Sequence, residues 1–372
     1  MGGDIDGAAA GPPHVMAERH ASAAPRRGPV YERALAELAE LDLNAIRAAA
    51  ARIADHIHRT PVISSASLDA CVGARVFAKA EALQRSGSFK ARGAFNRLLM
   101  VDDDQRARGV VAYSSGNHGA AVSLAAAELG IAATVVVPDD VTSAKLEAIR
   151  AHGAELVRCD AADRARVAEE LAHEQGMSLV APYDDYAVMA GQGTAALELL
   201  EQAGEVDVVV VPVSGGGLLA GTAVAVRSVC PDARIIGVEP QAADDTAQSM
   251  RAGTRVKLPT VPRTIADGLR ARAPGLLTFP INRALVEQVM VVDDQQIIEA
   301  MRFCRAALDL AVEPSGAVGV AALISGALDV RGLRVAVLLS GGNVDADRLE
   351  IVAGDEVAGA RSTERPQAAT RR

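Results

Sequence analysis

Four short segments carry residue types that could do chemistry together. The first is SGSFKARGAF, Ser86 to Phe95, where small residues precede Lys90 and Arg92-Gly93-Ala94 opens a helical pattern behind it. A lysine is ordinarily a solvated surface charge. Held where desolvation lowers its pKa, the same amine forms a Schiff base with a carbonyl. Phe89 beside it could supply the apolar surface, although a core Phe would look identical in sequence. The second is SSGNHGAAVSLAA, starting at Ser114. A strand, then Ser-Ser-Gly-Asn-His-Gly, then an Ala-rich helix leaves several backbone N–H groups at a helix N-terminus, where carboxylate or phosphate oxygens bind. An ordinary strand–helix turn capped by Ser or Asn reads the same way. His118 alone is more often structural than catalytic.

The third segment, VDVVVVPVSGGGLLAGTAVAV from Val206 to Val226, runs a buried strand into Ser214-Gly215-Gly216-Gly217-Leu218 and then a helix. Three glycines let the backbone approach an oxyanion closely, and the helix dipole favours its charge. The spacing matches neither the dinucleotide nor the nucleotide-triphosphate glycine pattern, so a small phosphate group is the better match. The fourth, LLSGGNVD from Leu338 to Asp345, ends a strand in a hydroxyl and two glycines. That is the carboxyl edge along which ligands lie in open α/β sheets.

The elements that must position these loops are legible as a pattern. Strands are expected at Gly109–Tyr113, Ala133–Pro138, Val206–Val213, Ile235–Val238 and Val335–Leu339, each a continuous apolar run suited to parallel strands buried on both faces. Helical patterns such as Ala120–Leu129, Ala144–His152 and Ile297–Leu308 fall between them. This alternation predicts an α/β fold with two parallel-sheet-containing domains. Residues 1–40 and 353–372 lack apolar periodicity and read as disordered extensions. His56 and His58 flank Ile57 and read as an ordinary helix surface.

Composition narrows the function further. The 372 residues carry a formal net charge of −9 and only 2% aromatics, which argues against a nucleic-acid partner. The richest apolar stretch, Val206–Val226, contains Asp207, Pro212 and three consecutive glycines, so no membrane span is expected. Four scattered cysteines, Cys71, Cys159, Cys230 and Cys304, form no CxxC pair and fit a reducing compartment. The N-terminus shows acidic residues and no apolar core where an export signal needs the opposite, so a cytoplasmic location is expected.

The four segments together, in this order, resemble the fold-type-II pyridoxal-phosphate enzymes, and within them the serine/threonine dehydratase and serine racemase group. RTPV at 59–62, AGQGTAALE at 190–198, VEP at 238–240, TIADGL at 264–269 and EPSGAVG at 313–319 extend the resemblance from about Leu41 to Val352. It implies a large cofactor-binding domain (41–108 and 187–352), a small domain (109–186), and pyridoxal phosphate between them. Lys90 would hold the cofactor and act as catalytic base. Asn117 would bind the ring hydroxyl, Ser214, Gly215, Gly216, Gly217 and Leu218 the phosphate, and Ser340 the ring nitrogen. A neutral hydroxyl at that nitrogen gives a weaker electron sink than a carboxylate. Ser114, Ser115, Asn117, His118 and Arg166 would hold the amino-acid substrate, with Ser115 a proton carrier on the face opposite Lys90.

The resemblance further implies a homodimer and a divalent cation, Mg²⁺, Ca²⁺ or Mn²⁺, at Glu239, Asp245 and the Ala243 carbonyl, an all-oxygen set. Two departures stand out. Ser214 replaces the first glycine of a commonly four-glycine loop, and Ala271 replaces a small hydroxyl residue expected shortly after TIADG. The chain ends within thirty residues of SGGNVD, so no C-terminal regulatory domain is expected. The reaction implied first is dehydration and deamination of L-threonine or L-serine. Serine racemisation and 3-hydroxyaspartate dehydration are the enzymatic alternatives, and a cofactor-binding sensor the non-enzymatic one.

Overall fold

β-branched runs separated by Ala-rich stretches build two sheets in this computed structural model, which describes residues 40–344. The two expected extensions, but for residue 40, and the end of the fourth segment from Asp345 onward lie outside the described residues. The strands are β1 (Val62–Ile63), β2 (Arg75–Lys79), β3 (Val110–Tyr113), β4 (Ala133–Pro138), β5 (Glu155–Cys159), β6 (Ser178–Leu179), β7 (Val208–Pro212), β8 (Arg234–Pro240), β9 (Gln288–Val292) and β10 (Arg334–Leu338). The larger sheet has the order β1-β2-β10-β7-β8-β9 and the smaller β5-β4-β3-β6. Every pairing is parallel except that of β1 with β2, so the larger sheet carries one short antiparallel edge.

The central strands are apolar on both faces because both faces are covered. Val208 and Val210 of β7 point into a core with Val318 and Ala321, while Val209 and Val211 point into another with Leu219 and Ala223. Each fully buried valine contributes roughly 1.5–3 kcal/mol relative to exposure. The helix Lys90–Leu98 packs on the smaller sheet's side: Ala91, Ala94, Phe95 and Leu98 share a buried cluster with Val110, Ala121, Val122 and Val188. Helix Asn117–Leu129 starts three residues earlier than its apolar pattern, and Ile297–Leu308 extends back to Asp294 behind a capping box at Asp293. His56 and His58 follow the helix Leu43–Ile53 rather than lie on it. The His56 ring stacks on Phe95 at 5.1 Å and binds Glu128. Among the described residues no helix is long and apolar enough to cross a membrane.

Candidate active site

Lys90 opens its helix because the loop before it is fastened to the end of β10. The Phe89 N–H donates to the Ser340 carbonyl at 3.0 Å, and the Gly342 N–H to the Gly87 carbonyl at 2.9 Å. Ser86, within this loop, adopts φ 58°, a left-handed conformation uncommon for a residue with a side chain. The Lys90 Nζ donates to the Pro182 carbonyl and lies 5.0 Å from the centre of the Phe89 ring. Phe89 therefore supplies apolar surface to the amine. Burial pulls the Lys90 ammonium down to about 8. A lysine in that state has a substantial neutral fraction near neutral pH and is a competent nucleophile and base.

The SSGNHG segment reaches the same place from the end of β3. Gly116 is the N-cap of helix Asn117–Leu129, and no side chain caps that helix. The Ser114 hydroxyl instead accepts the Gly116 N–H at 3.2 Å. The uncapped first-turn N–H groups leave an anion site of the expected kind. His118 is buried, with Nε2 donating to the Val180 carbonyl at 2.8 Å and Nδ1 without a partner. Burial first, then the Lys90 charge, pushes its pKa down to about 3. The ring is neutral and anchored, so only the His118 backbone N–H is left to meet a carboxylate. The Asn117 amide donates from Nδ2 to Glu313 Oε1 at 2.7 Å and accepts at Oδ1 from Asn343 Nδ2 at 2.8 Å.

The glycine loop after β7 is held by its carbonyls. The Gly215 carbonyl accepts from the Thr278 hydroxyl at 2.6 Å and from the Gly275 N–H at 3.0 Å, and the Gly216 carbonyl from Asn282 Nδ2 at 3.2 Å. Turning the carbonyls outward leaves the N–H groups for an anion. Side chains are excluded here: Gly216 has φ +98°, and a Cβ on Gly215 would lie 2.3 Å from the Tyr183 ring. Thr278 and Asn282, far downstream in the chain, were not legible as partners of this loop. The two departures touch each other, since the Ala271 N–H donates to the Ser214 hydroxyl at 3.3 Å. Leu218 is buried in the first turn of helix Gly217–Val229, and Ser340 is buried just past β10.

The residues around Lys90 fit a phosphorylated aldehyde. A half-buried amine, a glycine loop with its carbonyls turned away and three buried polar atoms without partners, Ser86 Oγ, Ser88 Oγ and His118 Nδ1, lie within these segments. Ser88 had no signal of its own in the sequence. Arg166 is not brought to this cluster. Its exposed guanidinium binds Asp163 at 3.3 Å and Glu170 at 2.6 Å, both on or next to its own helix, Arg164–Gln175. On this helix it is Arg164, two positions earlier, whose charge acts on Tyr113 and, with that of Arg255, on Tyr183.

Glu239, at the end of β8, and Asp245, opening helix Asp245–Ala252, are both buried. The Glu239 Oε1 accepts the Ala247 N–H at 2.7 Å, while Glu239 Oε2 and Asp245 Oδ2 have no partner. Burial, then the Asp245 charge, raises the Glu239 carboxyl well above its ordinary value, and burial raises Asp245 to about 7. Two such orphaned carboxylate oxygens are donors of the kind a hard divalent cation takes. Among the described residues no group of three or more His, Cys, Asp or Glu side chains, here or elsewhere, is placed to hold a metal ion, so a cation here would rest on two carboxylates and backbone or water oxygens.

Comparison with known proteins identifies the family. The L-threo-3-hydroxyaspartate ammonia-lyase of Pseudomonas sp is 46% identical over 302 residues, covering 81% of this chain and 94% of that protein. The structure of maize serine racemase aligns with a TM-score of 0.81 at 44% identity, covering 86% of this chain and 99% of that one. The serine racemase of Dictyostelium discoideum aligns with a TM-score of 0.78 at 38% identity, covering 82% of this chain and 100% of that one. Residues 53–341, the span that holds Lys90, the glycine loop and Ser340, match the family described as pyridoxal-phosphate dependent enzyme, and the chain belongs to that family.

Proposed function

We propose that this enzyme eliminates water from L-threonine or L-serine to give a 2-oxo acid and ammonia. The observation that carries the reading is the half-buried Lys90 amine, which donates to the Pro182 carbonyl beside the Phe89 ring in a loop fastened to the Ser340 segment. Bound pyridoxal phosphate supplies the aldehyde that Lys90 captures and the electron-withdrawing ring next to the substrate Cα. Ser214–Leu218 hold the phosphate, Asn117 the ring hydroxyl and Ser340 the ring nitrogen. The first-turn N–H groups of helix Asn117–Leu129, with the Ser114 and Ser115 hydroxyls, hold the substrate carboxylate. Lys90 Nζ, once free, accepts the Cα proton. The β-hydroxyl leaves as water, the proton taken from Cα balancing its departure, and the resulting 2-aminoalkenoate tautomerises and is hydrolysed to the 2-oxo acid and ammonia.

Racemisation of serine is the second reading. It is favoured by the capping arrangement: Gly116 caps helix Asn117–Leu129, so the Ser115 hydroxyl is not committed as a helix cap. It can carry a proton to Cα from the face opposite Lys90. One incubation of purified enzyme with L-threonine, L-serine and L-threo-3-hydroxyaspartate, scored for ammonia and for D-isomer, separates these activities. Ammonia from threonine and serine is expected. D-serine without ammonia would reverse the order of the two readings, and ammonia from 3-hydroxyaspartate alone would move the substrate.

We also propose a divalent cation at Glu239, Asp245 and the Ala243 carbonyl, supported by the two orphaned carboxylate oxygens. Division into a large domain (41–108 and 187–352) and a small one (109–186) is supported, within the described residues, by the separate sheets. The four free thiols support a reducing, cytoplasmic location. A homodimer rests on the resemblance alone, and sedimentation tests it.

A further inference from the structure

Glu313 is the N-cap of helix Pro314–Ile324, yet its side chain makes no capping hydrogen bond to that helix. Side-chain capping is the habit of Ser, Thr, Asp and Asn, whereas a glutamate at this position is free to reach further. Here, almost fully buried, it turns away and accepts the Asn117 amide at 2.7 Å from 196 residues earlier in the chain. Room for it comes from Gly341, the neighbour of Ser340: a Cβ there would lie 2.3 Å from Glu313 Oε1 and 3.2 Å from Asn117 Nδ2. The Glu313 N–H also donates to the Gly341 carbonyl at 3.0 Å. Glu313 is thus fastened at once to both segments that carry the ring-binding side chains.

The Asn117 amide is fixed from both ends. Its oxygen accepts from Asn343, whose Nδ2 also donates to the Ser86 carbonyl at 2.8 Å, and one hydrogen of its nitrogen goes to Glu313. An amide nitrogen has two hydrogens, so one remains, and towards that side Asn117 is a donor only.

We propose that Glu313 is a positioning residue that orients Asn117 as a donor to the cofactor's ring oxygen and brings a negative charge beside the ring. This rests on the assignment of Asn117 and Ser340 to the cofactor ring. The charge favours protonated forms of the bound cofactor and so offsets part of what a neutral Ser340 forgoes. A carboxylate buried without such a role would only cost stability.

The test uses the full chain loaded with pyridoxal phosphate and reads cofactor affinity and the pH titration of its visible band, with folding checked by circular dichroism. Glu313→Gln keeps an acceptor for Asn117 but not the charge. It is expected to retain cofactor and lower the titration midpoint by about one unit, a tenfold change in proton affinity. Glu313→Ala frees the amide and is expected to weaken cofactor binding about tenfold. That loss should vanish in an Asn117→Ala background, because the effect passes through Asn117. The exposed Asn343→Ala, which leaves the core intact, should weaken binding with no shift of midpoint. A Gln variant titrating like the parent, or Ala effects that simply add, overturns the proposal. A parent protein that shows no visible band after cofactor is supplied overturns the ring assignment instead.

Discussion

Arg92 and Glu198 are joined by two parallel hydrogen bonds, Nη1 to Oε1 and Nη2 to Oε2, each 2.8 Å long. A second fork links Arg92 to Glu81, Nε to Oε2 and Nη2 to Oε1, both at 2.7 Å. Lys79 completes the cluster, donating to Glu198 Oε2 at 2.6 Å and to the Thr60 carbonyl at 2.7 Å. Two cations and two anions thus balance inside the protein, with Arg92 only two residues from Lys90. The cluster ties the helix that Lys90 opens to β2 and to helix Tyr186–Ala203.

Removing one member leaves buried charge without a partner. Arg92→Met is expected to destabilise by about 3–5 kcal/mol, because two carboxylates lose their forks. Arg92→Lys should recover little of this, since an ammonium cannot make two planar bidentate contacts. Thermal melting of cofactor-free protein measures both. A melting temperature unchanged in Arg92→Met would mean that the pairing contributes nothing net.

The depressed Lys90 value has two pH signatures. The rate of cofactor capture by cofactor-free protein follows the neutral amine, so it should rise up to tenfold per pH unit below about 8 and level off above. Stability moves the same way. Between about 8 and the ordinary lysine value near 10.5 the unfolded chain binds the proton and the folded chain does not, so raising the pH through that window stabilises the fold. Below it the charged, buried amine destabilises by on the order of 3 kcal/mol. Lys90→Met should therefore melt higher than the parent at pH 7 without cofactor, and it should show no visible band when cofactor is added. A capture rate flat across pH 6 to 9 would contradict this.

Three of the four chemistry-bearing loops were legible because each follows a strongly apolar strand and has residue types that local structure alone does not demand, whereas the Lys90 segment, separated from β2 by two short turns, was legible by its residue types alone. What was not legible depended on burial or on pairing across the fold. β5 lies at an edge with none of its residues fully buried, so it shows no continuous apolar run. β1 is two residues long and only makes sense against β2. Arg164 and Arg166 are two positions apart on a helix, which sends them to nearly opposite faces, and the sequence does not say which face meets Tyr113 and Tyr183. Glu313 reads as a helix-start acid in EPSGAVG. Only the fold brings it to Asn117.

Ser115 separates the two reactions. Racemisation needs a proton carrier on each face of Cα, whereas elimination needs only Lys90. Ser115→Ala should spare ammonia release from L-serine within a few-fold and abolish D-serine formation. Chiral analysis together with an ammonia assay on one reaction mixture reads both. Collapse of both activities together would assign Ser115 to holding the substrate.

The carboxylates of Glu239 and Asp245 yield opposite signs in one experiment. In the absence of a cation each has a buried oxygen without a partner, and both destabilise the fold. A divalent ion bound only by the folded state adds about 2.7 kcal/mol at a hundred times its dissociation constant. Chelated protein should therefore melt lower than protein resupplied with Mg²⁺, Ca²⁺ or Mn²⁺. Glu239→Gln replaces a carboxyl that burial and the Asp245 charge hold well above its ordinary value, and keeps an acceptor for the Ala247 N–H. It should melt higher than the chelated parent and respond to none of the three ions. A variant less stable than the chelated parent, or a parent indifferent to all three ions, would show that the pair is a structural feature with no cation to hold.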